Sequence, residues 1–322
     1  MGPPAYQPAR LVARKPPRLL VTPGQPAYIV DAVTRGGGVV ASEGEDVDGL
    51  IWLVYGADGL SEVLTAHPGL RWVQLPMAGI ERMFEAGIIA EWHRNGVAWT
   101  CAKGSFAEPV AEHALSLALA GLRTLPERAR AHSWGAPAGI SLYDAPVTVL
   151  GGGGISRELL RLLAPFRVEA TVLRRTAQPV EGAARTVTPD ELHDVLPGAL
   201  VVFVALALSP QTVHIIGEPE LALMGPETWV VNVARGRHVD TDALVEALRQ
   251  RRIGGAALDV TDPEPLPDGH PLWALPNCII TPHSADTEEM VKPMLAARIR
   301  ENVERFAAGL PLIGTVDPVA GY

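Results

Sequence analysis

Short apolar runs rich in β-branched residues alternate along this chain with stretches whose apolar residues recur at helical spacing. A strand buried on both faces reads as a continuous apolar run and a covering helix as an apolar stripe, so the alternation predicts parallel sheets flanked by helices. In the first hundred residues strands are expected at 18–21, 38–41, 50–55, 71–74 and 98–100. A long apolar-periodic stretch follows at 106–132 and carries Glu108, Glu112 and His113. Leu125-Pro126 should interrupt or kink that helix, because proline lacks an N–H and crowds the preceding turn.

The next apolar run, 147–150, leads directly into Gly151, Gly152, Gly153 and Gly154 and then into leucine-spaced residues at 155–166. That is strand, glycine turn, helix. Further strands are expected at 170–173, 200–204, 229–232, 255–258 and 278–281, with helices near 218–223 and 241–250. Thr188-Pro189-Asp190-Glu191 supplies an N-cap, a first-turn proline and a capping-box glutamate. The pattern describes a doubly wound parallel sheet of the α/β class.

A chain of 322 residues exceeds what one hydrophobic core usually organises, so two domains are expected. With 48% hydrophobic and 20% charged residues, it has apolar side chains enough to fill both. The formal net charge of -9 argues against a nucleic-acid partner, which needs a dense cationic face. Cys101 and Cys278 are too few and too far apart for a disulfide framework or a zinc knuckle. Arg10, Arg14, Lys15 and Arg18 precede no apolar core of a signal peptide, and Tyr6 stands where acylation at Gly2 would need Ser or Thr. The apolar run 199–208 falls short of a bilayer span. A cytoplasmic protein without a membrane partner is expected.

Gly151, Gly153 and Ser156 occupy the three key places of G-x-G-x-x-G/A, after a predicted strand and at the start of a helix. The first glycine permits the tight turn, and the second admits a pyrophosphate to the backbone N–H groups, including those of Gly154 and Ile155, at the helix N-terminus. At the end of the following strand the sequence reads Arg174-Arg175-Thr176, with no carboxylate for a ribose 2′-hydroxyl. Guanidinium groups there suit a 2′-phosphate, which predicts NADPH over NADH, although NADH stays open.

Asn232-Val233-Ala234-Arg235-Gly236, Asp240, Ala256-Ala257-Leu258-Asp259-Val260, Glu264-Pro265-Leu266 and Thr281-Pro282-His283 follow in that order. This series resembles the signatures of the D-isomer-specific 2-hydroxyacid dehydrogenase family, with similarity running from about Leu70 towards the C-terminus. The resemblance implies two Rossmann-like domains. Residues 106–284 would bind the dinucleotide, and a smaller flavodoxin-like substrate domain would be built from 1–105 with 285–322. It also implies a homodimer formed largely through the long helix region, and a catalytic group of Arg235, Glu264 and His283.

Those roles suit the residue types. Arginine's planar fork holds a carboxylate and polarises a carbonyl while remaining charged. Histidine gives and takes a proton near neutrality. A carboxylate beside it stabilises imidazolium and orients the ring. Glutamate at 264 also differs from the formate dehydrogenases, which resemble this pattern with glutamine there.

The resemblance further places Ala205, Val233, Ala234 and Asp259 around the cofactor, with Asp259 beside the nicotinamide carboxamide. Met77-Ala78-Gly79 would be a substrate loop whose backbone N–H groups bind a carboxylate, although Met77 and Glu81 replace the family's common Ser and Asp. The function implied is hydride transfer between a nicotinamide cofactor and a small 2-oxo acid, as in glyoxylate or hydroxypyruvate reductases. A catalytically inactive dinucleotide-sensing regulator keeps the same fold, and a short phosphoglycerate dehydrogenase shares the chemistry. Retention of all three catalytic candidates opposes the regulator. The lack of room for an added regulatory domain opposes the longer phosphoglycerate dehydrogenases, while the short ones stay open.

Overall fold

The computed structural model describes residues 16–42 and 44–318. Gly2, Tyr6, Arg10, Arg14 and Lys15, considered above for targeting, lie outside the described residues. The chain divides into two compact units, Met1–Phe106 with Glu288–Tyr322, and Ala107–Thr287.

In the first unit, β1 (Arg18–Thr22), β2 (Val39–Val40), β3 (Gly49–Trp52), β4 (Trp72–Gln74) and β5 (Ala98–Thr100) form a parallel sheet in the order β2-β1-β3-β4-β5. This is the flavodoxin-like order. Its connections carry α1 (Ala27–Arg35), α2 (Leu60–Ala66), α3 (Glu81–Glu85) and α4 (Ile88–Arg94). Leu50, Leu60, Leu64, Val73 and Met83 are fully enclosed in its core, as full coverage of both sheet faces requires. A polar network also crosses that interior. Trp72 Nε1 donates to Thr100 Oγ1 at 2.8 Å, and the same hydroxyl donates to Gln74 Oε1 at 2.8 Å.

The second unit opens with α5 (Ala107–Leu122) and α6 (Leu125–Ala129). The interruption expected near Leu125-Pro126 is present, and the stretch 106–132 holds two helices. The break lies at Thr124, whose φ of 53° no helix continues, and Pro126 sits in the first turn of α6, where a missing N–H costs nothing. Then follow β6 (Pro146–Leu150), α7 (Gly154–Leu163), β7 (Glu169–Leu173), β8 (Arg185–Val187), α8 (Leu192–Val195), β9 (Val201–Val204), α9 (Glu218–Leu223), β10 (Trp229–Asn232), α10 (Thr241–Arg249), β11 (Gly255–Leu258) and β12 (Cys278–Ile280). After them α11 (Glu288–Ala308) returns to the first unit, where it packs on α1.

All seven strands of the second unit are parallel, in the order β12-β11-β10-β9-β6-β7-β8. Every residue of β9, β10 and β11 is buried, which is why they read as apolar runs, broken only by Asn232 at the end of β10. Strand order reverses between β6 and β9, the position at which such sheets bind ligands beyond their carboxyl ends. Helix α5 packs against α7, β10 and β11. It approaches the sheet so closely that a Cβ at Gly121 would stand 2.4 Å from the Trp229 ring. Any larger residue there would lift the helix.

Candidate functional site

The ends of the parallel strands share one edge, and backbone hydrogen bonds extend the ladder past the strands themselves. Gly151 N donates to Leu173 O, Ala205 N to Leu150 O, Val233 N to Val204 O, Asp259 N to Asn232 O, and His283 N to Asp259 O. That edge therefore carries the glycine turn, Arg174, Ala205, Val233-Ala234-Arg235, Asp259 and His283. Met77, Ala78 and Gly79 belong to the other unit, between β4 and α3, where Met77 O accepts from Ala102 N at 2.8 Å.

At the switch point the turn after β6 is built for close approach. Gly151 has φ +118°, and a Cβ on it would lie 2.3 Å from Ala205 O, so no side chain fits. Gly153 is exposed, extended and open, with nothing within 4 Å of a Cβ built there. It precedes α7, whose first turn no side chain caps. The N–H groups of Gly154 and Ile155 thus begin a helix with a solvent-facing positive end, a fit for a pyrophosphate. Ser156 is fully buried with its hydroxyl unpartnered among the described residues, so it acts there as a small packing residue. Arg174 lies across the turn, its methylenes 3.0–3.3 Å from the place of a Gly152 Cβ, and its Nη1 donates to Gln178 O at 3.4 Å. Arg175 and Thr176 are exposed beside it.

At the other end of the edge, His283 Nδ1 is 2.6 Å from Glu264 Oε1. The histidine backbone is left-handed, with φ +50°, so the chain turns sharply and the ring stands out from the strand end. Arg235 is half-buried after β10, and its Nη1 donates to Ala234 O at 2.7 Å. Its backbone is fixed by Asn232, which is wholly buried. Asn232 Nδ2 donates to Arg235 O at 2.9 Å and its Oδ1 accepts from Ala234 N at 3.0 Å.

Asp259 is not an exposed carboxylate closing a strand. It is 2% exposed, and Oδ1 accepts from Thr281 Oγ1 at 2.6 Å and Ser284 N at 2.9 Å, while Oδ2 accepts from Ala285 N at 3.1 Å. His113 Nε2, from α5, lies 3.3 Å from Oδ1 and 3.0 Å from Thr281 Oγ1. Burial alone would raise the Asp259 carboxyl, but the bonds from His113, Thr281 and the Ser284 and Ala285 backbone outweigh it and hold the group at about 2.

Asp286, three residues beyond His283, is half-buried. Its carboxyl is pushed above its ordinary value, first by burial; the charges of His283 and Arg235 oppose the rise and that of Asp259 adds to it. Asp286 therefore lies within the field of His283, Arg235 and Asp259. Sequence motifs gave Asn232, Thr281 and Asp286 no role, and His113 was only a helix residue, because each acts through a partner distant in the chain or through its own backbone turn.

Comparison with known proteins bears on this geometry. Residues 114–285 match the profile of the D-isomer specific 2-hydroxyacid dehydrogenase, NAD binding domain. This chain belongs to the D-isomer-specific 2-hydroxyacid dehydrogenase family. It is 39% identical to an uncharacterized protein in the proB 3′ region of Corynebacterium melassecola, over 79% of this chain and 84% of that one. With a glyoxylate reductase of Aeropyrum pernix it shares 32% identity over 67% of this chain and 68% of that one. Among solved structures, a D-isomer specific 2-hydroxyacid dehydrogenase from Xanthobacter autotrophicus Py2, in complex with NADPH and MES, superposes with a TM-score of 0.79 at 27% identity, covering 95% of this chain and 99% of that chain. The chain is thus an NAD(P)-binding oxidoreductase resembling the glyoxylate/hydroxypyruvate reductases. No helix among the described residues is long and apolar enough to cross a membrane.

Proposed function

We propose that this dehydrogenase reduces a small 2-oxo acid with NADPH, using His283 as acid and base, Glu264 as its partner and Arg235 to hold the substrate. The observation that carries the reading is the 2.6 Å contact between His283 Nδ1 and Glu264 Oε1, on the sheet edge that also bears Arg235 and the glycine turn.

A bound nicotinamide supplies the hydride. The chain's own residues do the rest. Gly151, Gly153, Gly154 and Ile155 take the pyrophosphate with backbone N–H groups, and Ala205, Val233 and Ala234 border the cofactor along the strand ends. Arg174, Arg175 and Thr176 offer two guanidinium groups and a hydroxyl to a 2′-phosphate, with no competing carboxylate between them. NADPH in the Xanthobacter relative agrees with that preference.

With Nδ1–H donated to Glu264, Nε2 is the atom left to exchange a proton with substrate. In reduction the imidazolium gives its Nε2 proton to the carbonyl oxygen and is left neutral, still donating Nδ1–H to Glu264; in oxidation Nε2 takes the hydroxyl proton back. Arg235, its backbone locked by Asn232, neutralises the substrate carboxylate and polarises the carbonyl. The family resemblance gives the backbone N–H groups of Met77, Ala78 and Gly79 to a substrate carboxylate and implies a homodimer.

Loss of NADPH absorbance with glyoxylate, hydroxypyruvate and branched 2-oxo acids tests the proposal. Turnover with at least one is expected. Tight NADPH binding with no turnover across the panel would make the protein a dinucleotide sensor instead.

A further inference from the structure

We propose that His113 is a positioning residue for His283, acting through Thr281 and Asp259; this rests on the reading of His283 given above. Proton accounting fixes the direction of the bonds. Thr281 Oγ1 has one hydrogen, and Asp259 Oδ1 at 2.6 Å, held ionised, takes it. The hydroxyl can then only accept from His113 Nε2 at 3.0 Å, so Nε2 carries the hydrogen, with Asp259 Oδ1 as its second acceptor at 3.3 Å.

The carboxylate so held grips the catalytic turn from beneath. Its two oxygens take the N–H groups of Ser284 and Ala285, and Asp259 O takes the N–H of His283 at 2.8 Å. Three successive N–H groups after Pro282 thus end on one residue. They hold the left-handed backbone at His283 that sets its ring against Glu264. Without a donor from α5, one oxygen of a carboxylate in an almost dry site loses a partner, and a buried charge less satisfied draws the turn towards water.

The side chain of Asp259 is 1% exposed. Sequence resemblance sets this residue beside the cofactor carboxamide; its bonds also give it the work of holding the turn. Helix α5 can deliver His113 because Gly121 lets it lie directly on Trp229. The titratable and charged groups around the His283 ring and its turn are Glu264, Arg235, Asp286, Asp259 and His113.

The full-length protein, His113→Ala and His113→Gln would be compared by kcat, KM, NADPH Kd, melting temperature and the ring 15N shifts of His283, assigned with His283→Ala. Glutamine keeps an N–H donor near the place of Nε2. His113→Ala is expected to lower kcat by roughly 10- to 100-fold, as small misplacements of catalytic groups do, with the NADPH Kd unchanged within about twofold. Its His283 15N shifts should move from a fixed pattern towards that of a freely rotating imidazole, and His113→Gln should restore both kcat and shifts. Unchanged His283 shifts in His113→Ala overturn the proposal, as does a change that glutamine fails to reverse. If the wild type turned over no 2-oxo acid, the functional reading would fail while the shifts still decided the positioning role.

Discussion

The turn after β6 and the turn after β12 lie on the same edge of one sheet, yet the first is made of backbone and the second of side chains. Around Gly151 the site is space and N–H groups, shaped by residues that have no Cβ. Around His283 it is a network, in which Thr281 beside the ring meets Asp259 and Glu264 from the loop after β11 and His113 from α5. A backbone site fails when something is added. A network site fails when something is removed, and the two should therefore respond separately to substitution.

The largest separation is expected from His283→Ala. Loss of a general acid and base lowers kcat by about 10²- to 10⁴-fold, while NADPH affinity and melting temperature stay near wild type because the ring is solvent-facing. Steady-state kinetics and cofactor fluorescence titration check both halves. A variant that keeps near-normal turnover removes His283 from the mechanism and leaves the network structural.

Gly151→Ala probes the opposite end. The new methyl would meet Ala205 O at 2.3 Å on a backbone with φ +118°, so the turn must shift, at a cost of about 2–4 kcal/mol in stability. Chemical denaturation should show that loss, and NADPH affinity should fall with it. If instead the variant binds NADPH normally, the glycine turn is not the pyrophosphate site.

How much of each region could be read beforehand follows the same division. The glycine turn is contiguous, so 147–150, four glycines and a leucine-spaced helix anticipated β6 and α7 within a few residues. Arg235, Glu264 and His283 were found by motif order, but their mutual geometry was not in the spacing. His113 stands 168 positions from Thr281, and no local pattern links them. Strand β8 escaped notice because its sequence, Arg-Thr-Val, is a polar edge with a single buried residue. Helix α11 carries Pro293 inside it and alternates charges over its exposed face, so the proline reads as a break that tertiary packing on α1 overrides.

A smaller effect tests the network by pH. Asp259 is held at about 2 in the folded chain against an ordinary 3.8. A depressed carboxyl stabilises the fold above its unfolded value, and that contribution, on the order of 2–3 kcal/mol, is lost as pH falls from 3.8 towards 2. Urea unfolding at stepped pH should show the loss in wild type. Asp259→Asn should be less stable at neutrality and should lack that component of the acid slope; an identical slope in both would mean that the carboxylate is not held.

The smallest expected effect decides cofactor choice on the backbone side. Arg174 has two possible jobs, since its methylenes cover Gly152 while its guanidinium reaches past the strand end. Alanine would remove both, so Arg174→Met, which keeps the aliphatic cover, is the informative change, combined with Arg175→Ala. Charge-assisted bonds to an exposed phosphate are partly screened, so NADPH kcat/KM should fall only about tenfold, and less at high salt. NADH, which lacks the 2′-phosphate, should be used as well by the double variant as by wild type, within about twofold. An equal fall for both cofactors would assign the arginines to the turn's structure. A wild type that already prefers NADH would leave them as solvated cations beside a site that reads only the pyrophosphate.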